Sequence, residues 1–199
     1  MTLRAYAQGV YGFGRYQPER GYDFNATVLV GETVLVIDPV APDAGELAEL
    51  RALGSRFMVI LTNADHERAS ADVAAALGAP VYAPRADVAL LRRQDVTPFD
   101  DGHLFPGGYV AHALSDLKTP GETALVGRGV AVVGDAVIAD PVTGLRLVPA
   151  QKIADRPKAL ASLTRLGTLE FDGLYPGDGF VLPQGGRDAL RKFLAAARA

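Results

Sequence analysis

Leu61-Thr62-Asn63-Ala64-Asp65-His66-Glu67-Arg68 lies where an apolar run of strand length, Phe57 to Leu61, gives way to polar residues and then to a helical pattern. Three shorter stretches have the same form: Lys118-Thr119-Pro120-Gly121, Gly134-Asp135 and Pro176-Gly177-Asp178-Gly179. Each follows a short apolar run and ends in residues that favour a loop. Loops after strand ends can bring polar groups from distant parts of a chain to one cleft. Asn63, Asp65, Glu67, Arg68, Lys118, Asp135 and Asp178 are therefore the candidate cleft residues.

Outward from the first stretch, the flanking sequence alternates strand and helix. Upstream, Val28-Leu29-Val30 and Thr33 to Ile37 are β-branched runs separated by Gly31-Glu32, a hairpin signal. Asp38-Pro39 stops the second strand, with Asp38 read as capping the turn and not as a chemical group. Asp43 can cap a helix carrying Leu47, Leu50 and Leu53 up to Gly54. Downstream, Ala69, Val73 and Leu77 recur at helical spacing before Gly78, Val81-Tyr82 reads as a strand, and residues 86–93 read as a helix. Residues 33–84 thus imply βαβ units and partly parallel sheet.

From Asp101-Gly102 the pattern returns to β, with strands at Tyr109 to Leu114, Thr123 to Val126 and Val130 to Val133. Asp155 and Pro157 open a helix bearing Leu160, Leu163 and Leu166, closed by Gly167. A strand near Leu174 precedes the last motif, and residues 187–198 read as a terminal helix. The order β-rich, βα, β-rich, βα predicts an α/β fold (α+β in some schemes) with two mixed sheets packed face to face and helices outside. Length and the lack of a linker fit one domain over residues 1–199.

In order and spacing the four stretches resemble the metallo-β-lactamase superfamily, whose motifs run T-H-x-H-x-D-H, H-T-P-G, G-D and P-G-H-G. The resemblance covers roughly residues 24–182 and implies the αββα four-layer sandwich. It also implies a hydrolase site, in which two zinc ions on His and Asp ligands activate a hydroxide. This chain places Asn63, Lys118 and Asp178 where the family has imidazoles. An ungapped alignment sets Asn63, Asp65 and Arg68 at the three histidines of the first motif and Glu67 at its aspartate. A two-residue deletion after Asn63 instead matches Asp65-His66 to the family's D-H pair, and this second alignment is preferred. Under it, Asp65, His66, Asp135 and Asp178 form a metal-ligand set, and Glu67 and Arg68 become helix-surface residues. A competing reading leaves His66 exposed in the first turn of a helix with Asp65 as its N-cap.

Lys118 cannot ligate a metal while protonated, but a cation among carboxylates supplies a metal's charge without its Lewis acidity. The resemblance therefore implies a degenerate site in a catalytically inactive or altered relative, a pseudoenzyme binding a small molecule or a partner. The alternative is a hydrolase of an ester, thioester, lactone or related substrate that uses one metal-activated water. The cofactor expectation is accordingly none, or one divalent metal (Mn, Mg, Fe or Zn), the oxygen-rich shell favouring the harder ions. Metal-free hydrolysis on an Asp or Glu base is disfavoured, because Ser70 and Ser115 have no partner His at any motif.

Composition narrows the partners. A net charge of −3 with scattered signs argues against nucleic acid. No apolar run reaches the roughly 20 residues of a membrane span, and the absence of a signal pattern makes the cytoplasm the default location. Zero Cys excludes thiolate ligands and disulfides. Arg92-Arg93 reads as a solvated helix end, and His103 and His112 as structural. The loops expected to set specificity are residues 12–24 and 139–150, with Tyr11, Phe13, Tyr16, Tyr22 and Phe24 as one wall. Core or dimer packing explains those aromatics at least as well, and a homodimer is a plausible partner state that no specific feature marks.

Overall fold

The computed structural model of the chain describes residues 2–93 and 95–197. The first sheet runs β1 (Arg4–Ala7), β2 (Val10–Gln17), β3 (Tyr22–Leu29), β4 (Val34–Ile37), β5 (Phe57–Ile60), β6 (Val81–Pro84) and β7 (Thr97–Phe99), in that spatial order. The first four strands are antiparallel and β4 to β7 are parallel. Helix α1 (Ala44–Ala52) joins β4 to β5, and α2 (Ser70–Leu77) joins β5 to β6. Asp43 and Glu46 form a reciprocal capping box at the start of α1. Gly78 ends α2 in the left-handed conformation that a residue without Cβ adopts most readily.

The second sheet contains β8 (Leu104–Phe105), β9 (Tyr109–Ala113), β10 (Thr123–Gly127) and β11 (Gly129–Val133). A separate hairpin, β12 (Ile138–Asp140) and β13 (Gly144–Arg146), and helix α3 (Arg156–Leu166) then lead to β14 (Phe171–Pro176). Strand β14 pairs parallel with β11, and helix α4 (Gly186–Ala197) follows it.

Period-two alternation divides the apolar residues into three layers of core. In β4, Leu35 and Ile37 face a central cluster shared with Phe105, Leu125, Val132 and Tyr175 of the second sheet. Val34 and Val36 face the opposite way, against Leu50 of α1 and Val73 of α2. On the other outer surface, Ala131, Val133 and Leu174 pack under Leu163 of α3 and Leu190 of α4. This is the αββα sandwich expected from the order of elements.

Several local expectations need correction. Residues 86–93 do not form an α-helix: a short 3₁₀ segment runs from Arg85 to Leu90, so Arg92-Arg93 is not a helix end. Residues 12–24 are mostly strand, because their alternation pairs β2 with β3 along the whole length of both. Residue 198, the expected last residue of the terminal helix, lies outside the described residues.

Candidate functional site

The carboxyl ends of four strands converge, two from each parallel pair. Asp38 follows β4, Thr62 and Asn63 follow β5, Asp135 follows β11, and Asp178 follows β14. Glycines allow the close approach. A Cβ on Gly134 would collide with Thr62 Oγ1 and lie 2.6 Å from Asn63 Nδ2, and one on Gly177 would collide with the His66 ring.

The first motif forms a single 3₁₀ turn, Ala64–His66, whose N-cap is Asn63 and not Asp65: Asn63 Oδ1 accepts from the His66 amide at 3.1 Å. The turn drives His66 inward, where it is 2% exposed. It is therefore not the exposed first-turn residue of the competing reading. Its Nδ1 lies 2.7 Å from Asp38 Oδ2, and its Nε2 lies 3.4 Å from Asp135 Oδ2 and 3.1 Å from Arg68 Nη2. Burial and the Arg68 charge oppose protonation of this ring. Asp38 and Asp135 outweigh them and push its pKa up to about 10.

Asp38 thus does more than cap a turn. Its Oδ1 accepts the Thr62 amide at 2.8 Å, and its Oδ2 accepts the Thr62 hydroxyl at 2.5 Å as well as facing His66. It holds a positive φ of 51° to do so, and Arg68 one of 36°. Backbone in that region is sustained only where surrounding contacts over-determine it.

Arg68, expected on a helix surface, is instead largely buried. Its Nη2 donates to Asp178 Oδ1 at 2.7 Å and its Nη1 to the Asn25 carbonyl at 3.1 Å, and the guanidinium stacks 4.4 Å over the Phe24 ring. Burial raises the Asp178 pKa, while His66 and Arg68 pull it back. Glu67 also leaves the surface, but turns away from the cleft: its carboxylate accepts from the backbone amides of Arg92 and Arg93.

Lys118 bridges the other side, with Nζ 2.7 Å from Asp65 Oδ2 and 2.9 Å from Asp135 Oδ2. Burial works against its charge, but the two carboxylates prevail and raise its pKa. Asp135 is held well below the usual carboxylate range, because His66 and Lys118 overcome the effect of its burial. Asn63 completes this side, donating to Glu122 Oε2 at 2.9 Å and Asp135 Oδ2 at 3.3 Å. Asn63 and Lys118, both standing where the family has imidazoles, thus meet on Asp135, and Lys118 also holds Asp65.

Two buried acids beside this cleft were not singled out from sequence. Glu122 is fully buried, and burial together with the neighbouring Asp135 charge pushes its pKa well above the usual carboxylate range. It directly follows Thr119-Pro120-Gly121, which was the one signal that could have marked it. Asp87 accepts from the Ala64 amide, the Thr119 hydroxyl and the Gly121 amide, tying the first two motifs together. Of the other histidines, His103 packs against Phe105 at 4.5 Å between ring centroids, and His112 is half-buried on β9.

Among the described residues, His66, Asp135 and Asp178 form one group whose donor atoms lie within 4.8 Å of one another, the spacing of a three-residue metal site. Asp65 is not in it, since its half-exposed carboxylate faces Lys118. The donors of the trio are already engaged. Arg68 sits on Asp178, Lys118 sits on Asp135, and both ring nitrogens of His66 already face protein groups, Nδ1 facing Asp38 and Nε2 facing Arg68 and Asp135. At the positions of the other metal, Asn63 and Lys118 offer an amide and an ammonium. These residues do not fit a two-metal centre.

A profile of the metallo-β-lactamase superfamily matches residues 5–197, and the chain belongs to that superfamily. Solved structures agree on the fold. A metallo-β-lactamase from Pontibacter korlensis is 14% identical over 98% of each chain, with a TM-score of 0.77. The flavo di-iron protein of Thermotoga maritima is 15% identical with a TM-score of 0.74, over 99% of this chain and 62% of that one. TTHA1623, solved in a di-iron-bound form, is 24% identical with a TM-score of 0.64, over 87% of this chain and 94% of that one. No curated protein matches the chain in sequence. No helix among the described residues is long and apolar enough to cross a membrane.

Proposed function

We propose that this chain is a metallo-β-lactamase-fold protein whose own cations stand in for the metals, so that it binds a small molecule without metal-hydroxide chemistry. One observation carries this reading. Both carboxylates that could hold a metal are already paired, Asp135 with Lys118 at 2.9 Å and Asp178 with Arg68 at 2.7 Å. A buried carboxylate needs a compensating charge, and here protein groups supply it. Such a site retains shape and charge but has no Lewis acid to generate hydroxide at neutral pH.

The test is metal content by mass spectrometry. The protein would be purified without a tag or chelator, from cells supplied with Zn, Mn and Fe, beside an Asp135→Ala control. Less than about a tenth of a metal per chain in both samples is the expected result. The spacing of His66, Asp135 and Asp178 favours a second reading, a hydrolase with one bound metal. Near-stoichiometric metal that disappears in the Asp135→Ala variant would establish it and overturn the first.

A further inference from the structure

The mouth of the cleft carries cations that the buried pairs do not use. A small cavity of about 50 Å³ lies directly over Asp135 and Asp178, and Arg20, Lys118 and Lys152 all reach it. Arg20 and Lys152 take part in no ion pair among the described residues. Beneath it, Asp178 pairs with Arg68, while Asp135 and Asp65 share Lys118. With those three carboxylates set against Arg20, Arg68, Lys118 and Lys152, the opening keeps one positive charge in excess.

Its walls are aromatic and aliphatic, formed by Tyr22, Phe24, Ile138 and Val148. An open recess of about 410 Å³ adjoins the cavity, sharing Lys118 and Lys152 with it and adding Asp65, which Lys118 pairs, and Leu117, Gln151 and Ile153. The chain therefore offers a narrow cationic end with low-dielectric walls, joined to a wider, partly apolar space. Low-dielectric walls strengthen attraction for an anion.

We infer that this cleft binds a small monocarboxylate, its carboxylate group held between Arg20, Lys118 and Lys152 and its body lying in the adjoining recess. Charge selects the class. A carboxylate's single charge matches the excess cation, whereas a phosphate dianion carries more charge than that excess balances. Arg20 supplies a planar fork suited to two oxygens, and the lysines supply point charge. This assignment rests on the reading of a site filled by protein cations.

The experiment is calorimetric titration at low ionic strength of benzoate, and separately of inorganic phosphate, into full-length protein whose metal content has been measured on the same sample. Saturable benzoate binding to metal-free protein is expected, weakened about tenfold in Lys152→Ala and in Arg20→Ala and unchanged in Arg56→Ala. Absence of benzoate binding, or tighter binding of phosphate, overturns the carboxylate assignment and leaves the cation-filled site standing. Benzoate binding equal in all variants places the anion elsewhere and also overturns it. Binding that appears only in metal-loaded protein overturns the cation-filled reading itself.

Discussion

The two halves of the cleft neutralise their acids in different ways. On one side Lys118 holds Asp65 and Asp135, and Asp65 is half exposed. On the other, Asp38, His66, Arg68 and Asp178 are almost wholly buried, and Arg68 also donates to backbone carbonyls and stacks on Phe24. A lysine is a flexible point charge, and its pair with an exposed partner is screened by water. A guanidinium fixed by several acceptors is preorganised, and breaking its buried pair leaves an unpaired charge. The Arg68 half is accordingly the structural anchor of the cleft, and the Lys118 half its adjustable rim.

Substitutions can break this contrast, and the largest effect belongs to Arg68. Arg68→Ala should destabilise the protein by about 3–5 kcal/mol in urea unfolding, as expected when one member of a buried ion pair is removed. Lys118→Ala should cost about 2 kcal/mol, because Asp135 retains His66 as a partner. A loss as large as that of Arg68→Ala would erase the distinction between the halves. Asp65→Ala should cost less than about 1 kcal/mol, given its exposure.

Protonation sharpens the same comparison. His66 retains its proton in the folded state up to about pH 10, against an ordinary value of 6.5. Its contribution to stability is full below the unfolded value and is lost as pH rises through the folded one. Glu122, also raised, acts in the same sense: the folded chain keeps a proton that the unfolded chain releases. Wild-type stability should therefore fall from about pH 6.5 to about pH 10. Glu122→Gln, which keeps an acceptor for Asn63 and cannot ionise, should flatten that decline by up to about one proton. An unchanged slope in this variant would show that Glu122 is ionised in the fold.

The sandwich was legible because its signals are local. Capping by Asp43 and Asp155, the β-branched run at β4 and the four loop motifs all depend on near neighbours. The motif residues Asn63, Asp65, Lys118, Asp135 and Asp178 do come together, but their pairings were not legible, and Asp87 and Glu122 were not marked at all. Whether the chain after Asn63 enters an α-helix or a single 3₁₀ turn decides the directions of Asp65, His66, Glu67 and Arg68. The turn is held by Asn63, which caps it, and by Asp87, 23 residues away from Ala64, which accepts the Ala64 amide. Asp38 was read as a turn cap because its partner ring comes from another strand end. Arg20 and Lys152 were passed over for the same reason: their role arises only where the β2–β3 turn and the segment after β13 meet.

Titration of zinc into chelator-treated wild-type protein, beside an Asn63→His/Asp65→His/Lys118→His variant, tests the replacement of metal by protein cations most directly. The account predicts no binding at micromolar zinc in the wild type and binding in the variant, where imidazoles replace the amide, carboxylate and ammonium. Stoichiometric binding by the wild type at micromolar zinc would contradict it.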